Sequence, residues 1–271
     1  MEREPFGGTP PHIEELYACI GRSMALFYGA LPGARGEVRE GAVLGCTGLG
    51  ATFLNAGIVY GGRGLPREEA ERRASATLEE FVGVIRGMGS GGYICLGEGL
   101  RAALEPRARE LGLVPLELIP LMWRPPEAPP PEPAGAFTCE RIGGEDGLAE
   151  LLAVSGVAYG FAAELYGRVV TPALLGRPDV AFYLCRRGGR AVSCVYAVVD
   201  AGVVSIAGMA TLPERQGEGA GGVLLRYALR AHAPGARAFC LTASAAGLRL
   251  YERSGFVAVD EASAWLVSAP D

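Results

Sequence analysis

Polar and apolar side chains alternate in the second half of the chain as they do in paired strands. Residues 181–187 and 190–199 alternate on either side of a Gly188-Gly189 turn, a pattern typical of a β-hairpin. A further turn at 200–202 leads into an apolar segment at 203–212, which predicts a third strand of the same sheet. Shorter segments predict four more strands, at 137–142, 237–242, 256–259 and 263–267.

Helical spacing is clearest at 219–232. Its apolar residues occupy positions 220, 223, 224, 227, 228 and 231, which share one face of a helix. Helical patterns also cover 146–157, 161–169 and 245–254, the last followed by a stop at Gly255. The resulting order, β-α-α-β-β-β-α-β-α-β-β, predicts a mixed α/β sandwich of a sheet and its flanking helices.

The first half repeats this order less distinctly. Strands are predicted at 38–47, 51–60, 92–96 and 114–123, and helices at 66–86 and 100–111. In both halves the last helix stops at a glycine that precedes an apolar strand, at Gly112-Leu113 and at Gly255-Phe256. We interpret the chain as an internal duplication, an α/β (α+β) protein made of two similar lobes.

A proline-rich segment separates the two halves. Six prolines lie between Arg124 and Gly135, at 125, 126, 129, 130, 131 and 133, and such a segment sustains neither a helix nor sheet pairing. It behaves as a stiff, extended linker. The predicted division is a first lobe at 1–123, a linker at 124–136 and a second lobe at 137–271.

Composition narrows the class of protein. Of the 271 residues, 49% are hydrophobic and 20% are charged, which is enough apolar material for packed cores and excludes a disordered chain. The net charge of -5 argues against a nucleic-acid partner, tRNA included, because such proteins carry a basic face. All 25 basic residues are arginines. Schiff-base chemistry, pyridoxal phosphate anchoring and a P-loop lysine are therefore excluded.

Cysteine and histidine offer little for metal binding or nucleophilic catalysis. The seven cysteines are isolated, at 19, 46, 95, 139, 185, 194 and 240, and the only histidines are His12 and His232. We expect reduced core cysteines, no metal site and no histidine-based triad. The N-terminus lacks the features of a signal peptide and no stretch could span a bilayer, so we expect a cytoplasmic protein without a membrane partner.

The residues most informative about chemistry are 211–222, which read Thr-Leu-Pro-Glu-Arg-Gln-Gly-Glu-Gly-Ala-Gly-Gly. They follow a predicted strand and open a predicted helix. Glycines allow backbone N–H groups to approach a ligand closely, and a helix N-terminus adds unpaired N–H groups with partial positive charge. Together they predict a phosphate cradle that needs no lysine. A Rossmann motif does not fit, because this turn comes late and follows an antiparallel meander.

This segment resembles the GNAT (Gcn5-related) N-acetyltransferase family, whose motif is Q/R-x-x-G-x-G/A between a strand and a helix. Gln216, Gly219 and Gly221 match it at that spacing. A second match follows at 243–256, where Tyr251, three residues, glycine and Phe256 reproduce the usual end of the family's next segment. The resemblance covers roughly 137–267 and implies two tandem GNAT-like lobes, each a mixed, mostly antiparallel twisted sheet flanked by helices.

The resemblance implies acetyl-CoA as cosubstrate, an N-acetyltransferase activity, no metal and a small-molecule amine as acceptor. By analogy with the family, the backbone of three strand residues would hydrogen-bond the pantetheine arm, and the glycine-rich loop would hold the pyrophosphate. Ser244 would lie beside the pantetheine, and Tyr251 would act as general acid. The implied cofactor-binding residues of strand and loop are Met209, Ala210, Thr211, Gln216, Gly217, Glu218, Gly219, Ala220 and Gly221.

Alternatives remain open for these residues. The glycines could merely permit a tight turn, Tyr251 could be a core tyrosine whose hydroxyl bonds the backbone, and Cys240 could be a core thiol rather than a nucleophile. The predicted strand at 203–212 carries no acid, and the base candidates elsewhere are Glu140, Glu164 and Tyr196. A non-catalytic acyl-CoA sensor or scaffold would share these features. The acceptor's identity and the oligomeric state have no readable signal.

The first lobe departs from both motifs. Its corresponding helix starts at Pro66 and carries Glu68, Glu69 and Glu71, which would repel a pyrophosphate and which complement the helix dipole. Ala108 occupies the place of Tyr251. We therefore expect a degenerate first lobe that does not bind acetyl-CoA.

Overall fold

The computed structural model describes residues 11–29, 31–62, 64–129 and 135–270. Within them the chain forms two compact units. The N unit comprises Pro11–Met122, Thr242–Ala245 and the described residues from Ala258 onward. The C unit comprises the described residues of Trp123–Leu241 together with Ala246–Val257. The predicted linker at 124–136 lies partly outside the described residues, so the three-part division remains a prediction.

The N unit contains a mixed sheet and three helices. Its elements are α1 (Ile13–Tyr28), β1 (Arg35–Arg39), β2 (Ala42–Cys46), β3 (Asn55–Val59), α2 (Arg67–Gly87), β4 (Gly92–Leu96), α3 (Glu98–Glu110), β5 (Val114–Arg124) and the C-terminal strand of the chain, Val257–Val267. Strands β1, β2 and β3 pair antiparallel in succession, and β3 pairs parallel with β4. One helix, α1, has no counterpart among the predicted elements.

The predicted strand at 38–47 is two strands in the structure. The chain turns between Arg39 and Ala42, which lie opposite each other, and the hairpin is closed by a two-residue connection. Gly41 in that connection has φ of +75°, a left-handed conformation that glycine adopts at little cost. The segment Arg39-Glu40-Gly41 is the sequence signal for this turn, and the prediction of a single strand overlooked it.

The C-terminal strand has another partner than the pattern suggested. We expected 256–259 and 263–267 to close the sheet of the second half. They form one strand of eleven residues that pairs antiparallel with β4, where Trp265 lies opposite Ile94. Trp265 is 1% exposed and belongs to the core cluster of the N unit, which also contains Leu100 and Leu104 of α3. Burial of this large side chain explains the pairing.

The described residues of the C unit form five strands. Its elements are β6 (Phe137–Arg141), α4 (Glu145–Tyr159), α5 (Ala163–Gly167), β7 (Val180–Arg187), β8 (Arg190–Asp200), β9 (Val203–Thr211), α6 (Ala220–His232), β10 (Ala238–Thr242) and α7 (Leu248–Arg253); the C-terminal strand of the chain is β11. The order across the sheet is β10-β9-β8-β7-β6. All neighbours are antiparallel except β9 and β10, which are parallel.

Helix α6 buries a face that differs by one position from the predicted one. Leu224 and Ala228 are buried as expected, but Leu225 and Leu229 are buried beside them, whereas Tyr227 is 38% exposed. The face is set by the two additional leucines, which bury more apolar surface without a polar group to satisfy. The tyrosine hydroxyl is better placed near water.

The fold class is confirmed. Each unit has a mixed, mostly antiparallel sheet flanked by helices, and most predicted elements coincide with observed ones to within a few residues. No helix in the described parts of the chain is both long and apolar enough to cross a membrane.

Candidate active site

The two parallel strands of the C unit, β9 and β10, stop pairing near the glycine-rich loop. Pairing of β9 with β10 covers three positions and ends where Ser205 lies opposite Cys240. Strand β9 continues along β8 as far as Thr211, which lies opposite Ser193. In the described chain, residues 206–211 therefore have a strand on one side only. An extended ligand could pair with their other edge as an additional strand would.

A β-bulge shapes the end of β9. Cys194 lies opposite Ala210, but Tyr196 lies opposite Ala207, so β9 has one more residue than β8 between these pairs. Gly208 in the bulge has φ of +62°. A Cβ at this position would come within 2.5 Å of the Tyr196 ring atom Cε1. Glycine is therefore required here both by backbone conformation and by space.

Side chains of neighbouring elements hold the bulged segment. The Tyr159 hydroxyl, at the end of α4, donates to the Met209 carbonyl at 2.8 Å. The Ser193 hydroxyl donates to the Ala210 carbonyl at 2.6 Å. Two of the three residues that were expected to bind a pantetheine arm thus already have protein donors at their carbonyls. A carbonyl oxygen has two lone pairs, so each can accept a further hydrogen bond.

The glycine-rich loop leads into an open helix N-terminus. The Gln216 side chain folds back and donates to the Thr211 carbonyl at 3.3 Å, which ties the loop to the end of β9. Gly219, with φ of +95°, is the N-cap of α6, and no side chain of the described residues caps the helix. The N–H groups of its first turn, beginning at Ala220, are therefore available to an anion.

Helix α6 approaches β9 and α7 closely at Gly221. A Cβ on this glycine would lie 3.3 Å from the Thr211 Oγ1 atom, 3.6 Å from Leu250 Cδ2 and 4.0 Å from Met209 Sδ. The end of β9, the start of α6 and helix α7 are therefore in contact at this point. The structure brings together the strand, loop and helix that the sequence motifs singled out separately.

An acidic residue lies within the loop and is paired. The Glu218 carboxylate accepts from Arg187 of β7 and lies 3.4 Å from the Arg215 guanidinium. The Arg187 guanidinium holds the pKa of this carboxyl below its usual range. The guanidinium groups of Arg187 and Arg215 therefore compensate the negative charge of the ionised Glu218 carboxylate.

Tyr251 of α7 is nearly enclosed by protein. It is 8% exposed, its ring meets the Phe256 ring edge-on at 6.0 Å, and burial raises its pKa to about 12. In the described chain its hydroxyl makes no hydrogen bond. A core tyrosine would be expected to satisfy its hydroxyl with a protein partner. The role of Tyr251 as general acid remains a prediction.

Four other candidates have distinct surroundings. Glu140 of β6 accepts from Arg186 at 2.6 Å and is engaged in an exposed ion pair. Glu164 is exposed on α5. Tyr196 lies at the bulge, and burial raises its pKa to about 12, so it is not a base near neutral pH. Cys240 is fully buried on β10, as a core thiol would be.

Ser244 remains a prediction. It is exposed in the segment before α7 and belongs to the N unit, whereas the other candidate residues belong to the C unit. In the described residues there is no group of three or more side chains suited to hold a metal ion.

An aromatic cluster beside the bulge was not singled out from the sequence. The rings of Tyr159 and Phe161 stack at 5.9 Å, and Phe161 meets the Tyr166 ring edge-on at 5.1 Å. Tyr166 in turn hydrogen-bonds Tyr196. The available signal was the density of aromatic residues directly after the helix predicted at 146–157. The placement of this cluster beside the bulge depends on the hydrogen bond from Tyr159 to the Met209 carbonyl, which only the structure shows.

Comparison with known proteins identifies part of the chain. Residues 178–258 match the family model described as an acetyltransferase (GNAT) domain. They contain the bulge, the loop and Tyr251. A comparison with curated proteins finds no match.

Several solved structures resemble the whole chain. A GCN5-related N-acetyltransferase from Kribbella flavida is 20% identical, with a TM-score of 0.68 over 94% of this chain and 96% of that one. A putative GNAT acetyltransferase from Novosphingobium aromaticivorans is 16% identical, with a TM-score of 0.56 over 94% and 97%. A tandem GNAT protein from the clavulanic acid biosynthesis pathway is 16% identical, with a TM-score of 0.57 over 95% of both chains. At these identities the likeness shows a shared fold.

Proposed function

Because the chain carries a GNAT acetyltransferase domain at residues 178–258, we propose that it transfers the acetyl group of acetyl-CoA to the amine of a small molecule. One cofactor site serves the reaction, and it lies in the C unit. The observation that carries the proposal is the parting of β9 from β10 beside the uncapped start of α6.

Each part of acetyl-CoA has a matching feature in this site. The pantetheine arm is extended and carries amide groups, so it can pair with the open edge of residues 206–211 as a strand would. The pyrophosphate is an anion and suits the first-turn N–H groups of α6. Gly219 and Gly221 bring no side chain to the start of α6; φ of +95° disfavours a side chain at Gly219, and a Cβ at Gly221 would lie 3.3 Å from the Thr211 Oγ1 atom. The thioester would then lie toward the bulge and Tyr251.

Tyr251 supplies the proton for the leaving group. Attack of a neutral amine on the thioester carbonyl expels a thiolate, whose parent thiol has a pKa of about 8.5. The Tyr251 hydroxyl, with its pKa raised to about 12 by burial, remains protonated at neutral pH and can donate to that sulfur. Its lack of a protein hydrogen-bond partner among the described residues leaves it free to turn toward the ligand.

The site is best suited to an acceptor amine that carries an apolar or aromatic group. Tyr159, Phe161 and Tyr166 present rings next to the bulge, and the Tyr159 hydroxyl reaches the Met209 carbonyl. Rings of this kind favour flat or apolar groups by stacking. Glu140 is already engaged with Arg186 and Glu164 is exposed on α5, so the proton of the attacking amine would pass to solvent.

A non-catalytic acyl-CoA-binding module is the second candidate. It is favoured by one observation: strand β9 carries no acidic side chain, so the site has no carboxylate base on the strand nearest the thioester. Such a module would bind acetyl-CoA through the same bulge and loop but would not turn it over.

Two measurements on the full chain decide between these functions. Titration calorimetry with acetyl-CoA is expected to give one site per chain. Release of CoA thiol is then followed with a panel of aryl, alkyl and α-amino amines, and at least one is expected to be acetylated. Binding without release for any amine would favour the sensor or scaffold. Absence of binding would overturn both functions.

A further inference from the structure

Two cysteines that are far apart in the sequence face each other in the C unit. Cys139 of β6 lies directly opposite Cys185 of β7 in an antiparallel pair. The register of these strands runs to Arg141 opposite Tyr183, and one position beyond it the Ile142 N–H donates to the Phe182 carbonyl, which continues the pairing. Hydrogen-bonded and non-hydrogen-bonded pairs alternate along such strands. Three residues further on, Cys139 and Cys185 therefore form a non-hydrogen-bonded pair.

This type of pair suits a cross-link. Directly opposed residues at non-hydrogen-bonded positions have Cα atoms about 4.5 Å apart and side chains on the same face of the sheet. Disulfides form at Cα separations of about 4.4–6.8 Å. Cys139 and Cys185 therefore need no large backbone movement to become bonded.

The two thiols already interact. A hydrogen bond from the Cys139 thiol lowers the pKa of Cys185, because it stabilises the thiolate of the acceptor. Cys139 is half-buried on the edge strand, whereas Cys185 is fully buried. One sulfur is thus within reach of a small oxidant, and the second lies behind it as a resolving group.

No other pair of cysteines has this arrangement in the described strand pairings. Cys46 lies opposite Asn55, Cys95 opposite Ala264, Cys194 opposite Ala210 and Cys240 opposite Ser205. The remaining one, Cys19, is buried within helix α1. Oxidation is therefore expected to be selective for one pair.

We propose that Cys139 and Cys185 form a reversible redox couple, which a peroxide oxidises to a disulfide that fastens β6 to β7. Cys139, the accessible member of the pair, releases its proton to solvent and its thiolate attacks a peroxide oxygen; the O–O bond breaks, and hydroxide leaves with the formation of a sulfenic acid. The Cys185 thiolate then attacks the Cys139 sulfur, and the S–O bond breaks as hydroxide leaves. In sum, two thiols and one hydrogen peroxide give one disulfide and two waters. A thiol reductant reverses the reaction.

The position of the couple gives the cross-link a consequence. Strand β6 is at the edge of the sheet and has β7 as its only neighbour in the described strand order. The adjacent pair on the same face is Phe137 and Arg187, and the Arg187 guanidinium lies over the Phe137 ring at 5.6 Å. Arg187 also pairs with Glu218 of the glycine-rich loop. A disulfide would hold the edge strand next to a contact of the proposed cofactor site.

The test uses the full chain and hydrogen peroxide. After mild oxidation, mass spectrometry of the intact chain is expected to show a loss of about 2 Da, and the oxidised chain is then alkylated. Two fewer alkylated cysteines are expected than the seven of the reduced chain, together with a cross-linked peptide joining residues 139 and 185. Dithiothreitol should restore both thiols. Oxygen addition at Cys139 with Cys185 still alkylated, or a disulfide involving other cysteines, would overturn the proposal.

Variants separate the couple from general thiol oxidation. Cys139→Ala changes a half-buried edge residue and is expected to abolish the cross-link in a folded protein. Cys19→Ala, on α1 of the N unit, is the matched control and should leave the cross-link unchanged. Hydrogen exchange of the β6 amides is expected to slow by at least about tenfold on oxidation, because edge strands open locally. Equal exchange in both states would refute the fastening of β6.

Discussion

In the described residues each unit has a pair of parallel central strands, β3 with β4 and β9 with β10, and the two pairs differ in how far they stay together. In the N unit, β3 and β4 pair at four consecutive positions up to Val59 and Leu96, where both strands end. The Gly97 N–H extends the pairing by donating to the Val59 carbonyl at 2.9 Å. In the C unit, β9 runs on for six residues beyond its last pair with β10. The same element order therefore produces one closed and one open strand pair.

The bulge accounts for part of this difference. Strands β2 and β3 pair at five consecutive positions without a shift of register. Strands β8 and β9 shift register at Gly208, and the residues beyond the shift are held by Tyr159 and Ser193. A bulge bends its strand and changes the direction of the residues beyond it. Opening the edge of β9 thus required a glycine and its supporting side chains, in addition to the fold.

The two units also use their helix N-termini differently. In the N unit the Asp260 carboxylate accepts from the Glu98 N–H, in the first turn of α3, at 3.3 Å, and from the Tyr17 hydroxyl at 2.5 Å. Helix α2 begins after Pro66 with two acids in its first turn. Helix α6 of the C unit has neither a capping side chain among the described residues nor an acid in its first turn. Negative charge is built into the N unit where the C unit leaves room for a ligand.

The largest expected effect compares two glycines in corresponding loops. Gly219 precedes α6 with φ of +95°, and Gly64 precedes α2 with φ of +77°; a Cβ meets nothing within 4 Å at either. Gly219→Val should weaken acetyl-CoA binding at least about 100-fold, because a branched side chain disfavours this backbone conformation and covers the first-turn N–H groups. Gly64→Val carries similar strain and should leave affinity unchanged in calorimetry. Equal losses in both variants would contradict a single site.

The next-largest effect concerns the hydroxyl of Tyr251, which Ala108 lacks at the corresponding position of the first lobe. Tyr251→Phe should keep the fold and the acetyl-CoA affinity but lower kcat at least about tenfold, because only the proton donor is removed. Steady-state kinetics under conditions where chemistry limits turnover would check this. Tyr227→Phe, at an exposed position of α6, is the matched control. An unchanged kcat in Tyr251→Phe would return this residue to a structural role.

A smaller effect is expected from the acid within the open loop. Glu218→Gln should tighten acetyl-CoA binding about two- to fivefold at low ionic strength, because it removes a negative charge and frees Arg187 and Arg215 for the phosphates. High salt should erase the difference. Glu214→Gln, which also loses an exposed ion pair, is the control. Weaker binding in Glu218→Gln would show instead that this acid is needed to hold the two arginines in place.

The smallest expected effect is the absence of a change with pH. A general acid is lost as pH rises through its pKa, so an ordinary phenol would cause kcat to fall near pH 10. Burial raises the pKa of Tyr251 to about 12, which moves this loss upward by the same amount. With saturating substrates, kcat should stay level from about pH 8 to about pH 11. A fall centred near pH 10 would show that the hydroxyl is more hydrated than the structure indicates.

The positions of helices and strands could be predicted from the sequence better than the partners with which they pair. Apolar alternation located the strands of the C unit because it depends on local spacing. The same signal located 263–267 but carried no information about its partner β4, which burial of Trp265 determines. Helix α1 was missed although it buries Leu16 and Tyr17. Face positions on α6 were off by one because two apolar faces competed and only packing selects between them.

In the candidate site, too, some features could be predicted from the sequence and others could not. The glycine-rich loop and Tyr251 follow from motifs of fixed spacing. The roles of Gly208, Tyr159 and the two facing cysteines depend on strand register, which a one-residue slip would reverse. Register is a property of the assembled sheet, so these features had to come from the structure.

Strand β11 also affects the order in which the protein can be made. It lies between β4 and β5 in the sheet of the N unit, yet it follows the elements of the C unit in sequence and therefore leaves the ribosome after them. Until then the nascent N unit lacks Trp265, and β4 and β5 lack the strand that separates them. Unpaired strands and incomplete cores are the states that aggregate or recruit chaperones. The N unit therefore cannot complete its sheet and core until the C unit has been synthesised, and a chain truncated before β11 would leave the N unit incomplete.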